Sequence, residues 1–207
     1  MDKSESVGVC YIAYGLNARR EAEQSIKSLK QHNDLPVTVI GDRVRGADEW
    51  VPFDDQNCLG RRAKVHLYAL SGFDQTLYLD ADTRVHNDLS AGFQILQDGF
   101  DWAICPSTKQ GSDALWHVSE EERAATVCST SGKSLVLQAG VFFFRKSERS
   151  YALFSSWREE WSRWMGQDQA ALMRALIRAP TRLWLLGGEW NGGSIVSHRY
   201  GMARAGP

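Results

Sequence analysis

The chain has 207 residues, of which 43% are hydrophobic and 24% charged, and its formal net charge is −1. This composition is typical of a globular protein with a substantial core. A net charge near zero argues against a dedicated nucleic-acid binder, which needs a basic face. The sequence begins without a signal-peptide profile, contains no apolar run long enough to span a membrane, and has four cysteines without a CxxC pair. We therefore expect a cytoplasmic protein without a transmembrane segment.

The pattern of apolar residues predicts an α/β chain. Apolar and β-branched runs predict strands at 7–13, 35–40, 50–53, 76–79, 100–105, 135–145 and 181–186. Helical spacing predicts helices at 18–32, 59–71, 89–97, 148–165 and 167–178, a helical turn at 120–125, and Asn17 as the first cap. The opening strand, helix and strand indicate parallel strands joined by a right-handed crossover.

Two carboxylates, Asp80 and Asp82, directly follow the apolar strand at 76–79. In an extended chain residues i and i+2 point to the same side, so the pair is expected to project together. Two like charges this close repel each other, and a divalent cation between them would relieve the repulsion. Carboxylate oxygens suit Mg²⁺ and Mn²⁺. Asp-x-Asp pairs also occur in solvated turns and helix caps, but ligands of open α/β sheets bind beyond the carboxyl ends of strands.

Seven segments carry a resemblance to a known family. They are Val9 to Gly15, Arg61 to Lys64, Leu77 to Thr83, Gln138 to Val141, Asp168-Gln169, Trp190-Asn191 and His198-x-x-Gly201-x-x-Arg204. In order and spacing they resemble the GT-A nucleotide-sugar glycosyltransferases, most closely family 8, the glycogenin and bacterial galactosyltransferase type. The chain departs from the family pattern with Gln138 in place of Asn, Ala170 in place of Asp and Arg204 in place of Lys.

The resemblance implies an architecture and an activity. The fold would be the Rossmann-like GT-A fold, with a mixed central sheet flanked by helices, in a single domain spanning 1–207. The activity would be metal-dependent transfer of a sugar, with retention, from a nucleotide-diphosphate sugar, by default a UDP-sugar. The acceptor would be a sugar, a lipid-linked sugar or a protein. Because glycines cluster in the tail at 187–207, we expect that tail to be mobile.

The resemblance also assigns a metal site. It implies that Asp82 and His198 bind the metal and that Asp80 contacts the metal, the ribose or both. One imidazole with carboxylates suits Mn²⁺ slightly better than Mg²⁺. The simpler interpretation of His198 is an exposed histidine of the tail.

Further residues are assigned to the donor and the reacting centre. Lys64 and Arg61 would contact the diphosphate or sugar and Arg204 would bind the donor, although each could be a solvated charge. Tyr14 would stack on the base or be a packed aromatic. Asp168 and Gln169 would lie at the reacting centre, or Asp168 would only cap its helix.

Two other functional classes stay open at this point. A haloacid-dehalogenase phosphatase also has Asp-x-Asp after an apolar strand, but its pattern requires Thr or Val where this chain has Arg84. The motif also usually lies near the N-terminus. The second alternative is a non-catalytic nucleotide-sugar-binding protein of the same fold, which turnover of a sugar nucleotide would distinguish from an enzyme.

Overall fold

The structure is a computed structural model, and it describes residues 5–56, 58–110, 114–115, 117–130 and 135–203. Its strands are β1 (Val7–Ala13), β2 (Val37–Gly41), β3 (Glu49–Val51), β4 (Gln75–Asp80), β5 (Thr83–Val85), β6 (Trp102–Pro106), β7 (Leu137–Arg145), β8 (Leu183–Leu185) and β9 (Val196–His198). Its α-helices are α1 (Gly15–His32), α2 (Arg61–Val65), α3 (Leu67–Leu70), α4 (Ser90–Gln97), α5 (Glu120–Ser129), α6 (Glu148–Ser162) and α7 (Asp168–Arg178). Within these ranges, no helix is long and apolar enough to cross a membrane.

Seven strands form one mixed sheet in the order β3-β2-β1-β4-β7-β6-β8. The pairs β3–β2, β2–β1, β1–β4 and β6–β8 are parallel, whereas β7 is antiparallel to both of its neighbours. Strand β7 therefore runs against the others, and its amino end lies at the same edge as the carboxyl ends of β1, β4 and β6. A second, two-stranded sheet pairs β5 with β9.

Helices cover both faces of the large sheet, because alternate residues of its strands are apolar on both sides. One buried cluster joins the sheet to α1 and α4, and includes Val9, Tyr11, Leu77, Leu79, Phe143, Ala22, Ile26, Phe93 and Leu96. The cluster on the other face joins the sheet to α2, α6 and α7, and includes Cys10, Ile12, Phe142, Phe144, Ala63, Leu153, Trp157 and Leu172. The α/β class with a mixed, helix-flanked sheet is thus confirmed.

The predicted elements are present, with three differences. The first helix begins at Gly15, so Asn17 lies inside it and the predicted cap is wrong. The backbone N–H of Gly15 instead donates to Asp42 Oδ2 at 2.8 Å. The two residues are 27 positions apart in the sequence, so the local pattern does not reveal this contact. The helix predicted at 59–71 is broken at His66, and the turn predicted at 120–125 extends to Ser129.

Helix α6 anchors the start of α7 through two tryptophans. Trp157 and Trp161 are buried, as their helical spacing suggests. Their indole N–H groups donate to the carbonyl oxygens of Asp168 at 2.8 Å and of Gly166 at 3.2 Å. Each buried indole thereby satisfies its polar end, and the first turn of α7 is held in place.

A buried ion cluster fastens α5 to α6 and α7. Arg174 of α7 contacts Glu122 of α5 at 3.1 Å and Glu160 of α6 at 3.0 Å, and all three side chains are at most 3% exposed. Burial raises the pKa of Glu122, while the Arg174 guanidinium opposes that shift. The cluster costs desolvation, so its partners depend on one another. It holds α5, which lies in the connection between β6 and β7, against the body of the fold.

We predict that Arg174→Met lowers the free energy of unfolding by about 3–5 kcal/mol, because it leaves buried carboxylates without their cation. Urea unfolding measures the loss. Adding Glu122→Gln should restore part of it, since the second change removes the unpaired charge. The matched control is Arg178→Met, because Arg178 also pairs with Glu160 but its side chain is 45% exposed. Equal destabilisation by the two methionine variants would contradict a buried cluster.

Candidate active site and metal centre

A cavity of about 740 Å³ lies at the sheet edge where β1 and β4 end and β7 begins. The strand order places Tyr14 after β1, Asp80 at the end of β4 and Gln138 near the start of β7 at this edge. Eight of the residues that the sequence singled out line the cavity: Tyr14, Arg61, Lys64, Asp80, Asp82, Asp168, Gln169 and His198. The ninth, Arg204, lies outside the described residues.

Asp80, Asp82 and His198 converge, although 116 positions separate the second from the third. His198 Nε2 lies 3.1 Å from Asp82 Oδ1 and 3.6 Å from Asp80 Oδ2. The expectation that both carboxylates lie on one extended strand is wrong. Strand β4 ends at Asp80, and Asp82 lies in the turn before β5. The turn and the β5–β9 pairing together produce the convergence, because β9 brings His198 opposite Thr83.

The imidazole of His198 is held from several sides. Its Nδ1 lies 2.8 Å from Asn191 Oδ1, and because an amide oxygen can only accept, a hydrogen on Nδ1 is donated to it. Tyr200 stacks on the ring, with centroids 4.1 Å apart. Asn191 is buried, and its backbone follows a 3₁₀ turn at Gly188–Trp190. The ring is thus oriented with Nε2 toward the two carboxylates. Asn191 has the position of the outer-sphere residue that typically orients a metal-binding histidine.

Gly140 of β7 provides the space for this cluster. A Cβ atom at this position would lie 2.8 Å from Asp80 Oδ2 and closer still to His198 Cε1. Both distances are shorter than real Cβ contacts, so a side chain here would displace the cluster. The Gln-Ala-Gly-Val segment is therefore explained by close approach of the β7 backbone to Asp80 and His198.

The cluster fits a divalent cation. The three residues offer two carboxylate oxygens and one ring nitrogen, all within 4.8 Å of one another. Burial by itself would raise the pKa of Asp82, but the hydrogen bond and charge of His198 and backbone N–H donors lower it to about 2. Asp82 is therefore anionic at neutral pH. Two carboxylates with one imidazole form a donor set that suits Mn²⁺ or Mg²⁺.

Lys64 is buried and bridges two carboxylates. Its Nζ lies 3.0 Å from Asp80 Oδ1 and 2.7 Å from Asp168 Oδ2, and it donates to the carbonyl oxygen of Ala139 at 3.1 Å. Burial would lower the pKa of the Lys64 ammonium, but the charges of Asp168 and Asp80 outweigh it and raise the pKa above its usual value. The solvated alternative is thus excluded, and Lys64 links the metal cluster to Asp168.

Asp168 and Gln169 begin α7 at the rim of the cavity. Burial raises the pKa of Asp168, and Lys64 reverses the shift, so the pKa is lowered overall and the group is anionic. The N-cap residue is Gln167 rather than Asp168, and Asp168 Oδ1 accepts from the amide of the next residue, Gln169, at 3.1 Å. The carboxylate thus pairs with Lys64 through its other oxygen. The side chain of Gln169 donates to Gln138 Oε1.

Tyr14 lies at the β1 end of the cavity. Its hydroxyl donates to the carbonyl oxygen of Phe53 at 2.8 Å, and the residue is partly buried. Burial first, and the nearby carboxylates of Asp55 and Asp42 second, raise the pKa of the phenol, so it is protonated. The ring is held at its tip and lines the cavity, which is compatible with stacking.

Several cavity residues escaped the sequence-based assignment. Tyr200 had no signal beyond its place between His198 and Gly201. His117 lies in the polar connection between β6 and α5, where no motif marked it. Asn191 and Gly140 belonged to segments that resembled the family, but their roles became apparent only from the packing around His198.

Comparisons with known proteins agree with this fold. No protein-family model matches the sequence. No curated protein matches it significantly either. Among solved structures, the bifunctional glycosyltransferase WbbM superposes with a TM-score of 0.66 at 15% identity, covering 94% of this chain and 42% of that one. Mouse xyloside xylosyltransferase 1 superposes with a TM-score of 0.61 at 11% identity, covering 90% of this chain and 87% of the mouse chain.

A third similar structure is the glycosyltransferase GlyE of Streptococcus pneumoniae. It superposes with a TM-score of 0.60 at 17% identity, covering 89% of this chain and 46% of that one. The chain thus spans less than half the length of WbbM and of GlyE. At these identities the likeness concerns the fold, and the chain has the GT-A fold of these glycosyltransferases.

Proposed function

We propose that the chain is a metal-dependent glycosyltransferase that takes its sugar from a nucleotide-diphosphate sugar. The observation that carries the proposal is the joint presence, in one cavity, of the Asp80, Asp82 and His198 cluster and the Lys64–Asp168 pair. The fold neighbours, all glycosyltransferases by name, support it. A UDP-sugar donor, Mn²⁺ as the metal and retention of configuration are the finer parts of the proposal.

The residues present can support departure of a diphosphate. Asp80, Asp82 and His198 would hold the cation, and a bound cation stabilises the negative charge that develops on the leaving diphosphate. Lys64 keeps Asp168 in its anionic form and fixes the positions of Asp80 and Asp168. Tyr14, at the β1 end, is placed to contact the base. Lys64, Asp82 and Asp168 are buried, which strengthens their electrostatic interactions.

Asp168 and Gln169 suit the reacting centre. Asp168 is a buried anionic carboxylate that lines the cavity, and such a group can stabilise positive charge developing at the anomeric carbon. Retaining glycosidases use a carboxylate in a comparable way. Gln169, joined to Gln138, offers amide groups that can position sugar hydroxyls. Asp168 could also serve as a general base in an inverting reaction, and product stereochemistry separates the two.

The alternatives make different predictions. A non-catalytic nucleotide-sugar-binding protein would bind donor and metal but leave the donor intact. A haloacid-dehalogenase phosphatase is disfavoured by the fold, since the similar structures are glycosyltransferases. The proposed single domain and the mobile tail at 187–207 stay predictions.

The experiment that tests the proposal is incubation of the purified protein with a panel of nucleotide sugars and Mn²⁺. Transfer, or slow release of the nucleoside diphosphate by transfer to water, supports an enzyme. Stabilisation in a thermal-shift assay without turnover of any donor supports a binding protein instead.

We predict that Asp82→Asn weakens Mn²⁺ binding and abolishes turnover. The loss of Mn²⁺ affinity should exceed the roughly 10–100-fold that follows from removing a residue that only orients a ligand. The side chain keeps its shape but loses the charge of a direct ligand. Isothermal titration with Mn²⁺ measures the affinity. Asp98→Asn, at an exposed position outside the cavity, is the control. Unchanged Mn²⁺ affinity in Asp82→Asn would remove this residue from the metal site.

We predict that Asn191→Leu weakens Mn²⁺ binding by roughly 10–100-fold, because His198 loses the acceptor that orients it. Asn191→Asp keeps an acceptor oxygen at the same place and should bind Mn²⁺ more tightly than the leucine variant does. In the metal-free proteins, ¹⁵N NMR of His198 should show Nδ1 protonated in the wild type and in Asn191→Asp. A leucine variant with wild-type spectrum and affinity would refute this positioning role.

We predict that transfer retains the anomeric configuration and that Gln169→Ala lowers kcat by roughly tenfold or more, with nucleotide affinity within about threefold. A contact that matters mainly in the transition state affects kcat rather than binding. Steady-state kinetics and product NMR measure both quantities. The control is Gln94→Ala, on α4 and outside the cavity lining. An inverted product, or normal turnover of Gln169→Ala, would overturn the assignment.

A further inference from the structure

One side of the cavity carries two residues, His117 and Gln167, that have no role in the mechanism above. Along the sheet edge the order is β1, β4, β7 and β6. The candidate base contact Tyr14 follows β1, and the metal cluster lies at the end of β4. The side nearest β7 and β6 is lined by His117, Gln138, Gln167 and Gln169. A donor whose base lies near β1 and whose diphosphate lies at β4 leaves this side for its sugar and for the acceptor.

The wall that carries His117 is a built part of the fold. The flanking residues Leu115 and Val118 are buried in a small apolar cluster with Ala170 and Met173 of α7. Shortly after this wall comes α5, which the Arg174 ion cluster holds against α6 and α7. The position of His117 is thus set by packing against the same helix that begins with Asp168.

The side chains on this side match hydroxyl groups. Amide and imidazole groups can each donate and accept hydrogen bonds, as sugar hydroxyls do. Among the described residues that line the cavity, the lysine and arginine side chains belong to Lys64 and Arg61, both on α2. Lys64 is already engaged by two carboxylates. The described residues that line the His117 side, namely His117, Gln138, Gln167 and Gln169, include no lysine or arginine, so they favour a neutral acceptor group over a phosphorylated one.

We propose that His117 and Gln167 form the acceptor subsite, and that the acceptor is a hydroxyl of a neutral glycan. The proposal rests on the proposed function and names its second substrate. Gln167 is well suited to a test because it is the N-cap residue of α7 but makes no side-chain cap hydrogen bond. Its truncation should therefore leave the start of the helix intact.

The test separates transfer to acceptor from transfer to water. The probes are methyl glycosides of glucose, galactose and xylose, compared with the corresponding sugar 1-phosphates. For the wild type we expect neutral glycosides, and not the phosphates, to accelerate turnover above donor hydrolysis. His117→Ala and Gln167→Ala should each raise the acceptor KM by roughly three- to tenfold, the effect of one lost hydrogen bond. Donor hydrolysis should stay within about twofold. His32→Ala, at an exposed site on α1, is the control.

Each contrary result has a distinct meaning. Absence of both donor hydrolysis and transfer for every nucleotide sugar would overturn the proposed function and this inference with it. Intact hydrolysis with unchanged acceptor KM in both variants would overturn the subsite alone. Preference for the sugar phosphates, or no acceleration by any neutral glycoside, would overturn the neutral glycan. Loss of hydrolysis in His117→Ala together with transfer would assign this residue to the donor side instead.

Discussion

The buried ammonium of Lys64 is the interaction on which the site depends. A buried cation is stable only with close partners, and this one has two carboxylates and a backbone carbonyl. Asp80 of β4 is 16 positions from Lys64 in the sequence, and Asp168 of α7 is 104 positions away. Without Lys64, the carboxylates of Asp80 and Asp168 would face each other across a cavity without a shared counter-charge. The metal cluster and the reacting centre are thus parts of one electrostatic unit, and their spacing is set by one side chain.

The reversed direction of β7 explains how the backbone serves that unit. If β7 ran parallel to β4, its carboxyl end would lie at the cavity, and a loop would follow there. Because it runs the other way, its first residues enter the sheet at the cavity edge. The carbonyl of Ala139 accepts from Lys64, and Gly140 approaches Asp80 and His198, within the first half of β7. The register against β6 shifts at this point, from Phe142 opposite Ile104 to Gln138 opposite Cys105. Such an irregularity in a strand frees backbone groups from the ladder and directs them into a site.

The sequence was informative where a local pattern carries the signal. Apolar runs located the seven strands of the large sheet, and the Asp80–Asp82 pair located the site, because both depend on neighbouring residues. The sequence was uninformative where distant contacts decide. The three-residue strands β5 and β9 were missed, the burial of Lys64 cannot be read from the start of a helix, and the Gly15 amide N–H is satisfied by Asp42. The orientation of His198 by Asn191 likewise required the folded chain.

The short pairing of β9 with β5 has a consequence for how this chain can vary. Successive side chains of a strand point to opposite sides, so a slip of β9 by one residue would replace His198 at the cluster with a serine or an arginine. Three contacts hold the register: Arg199 N–H to the Asp82 carbonyl, Ser197 to His86, and Arg199 to Glu21. The stretch between β8 and β9 carries Asn191, which contacts the ring of His198, so its length is constrained as well. A single-residue deletion within β9 would therefore remove the imidazole from the site.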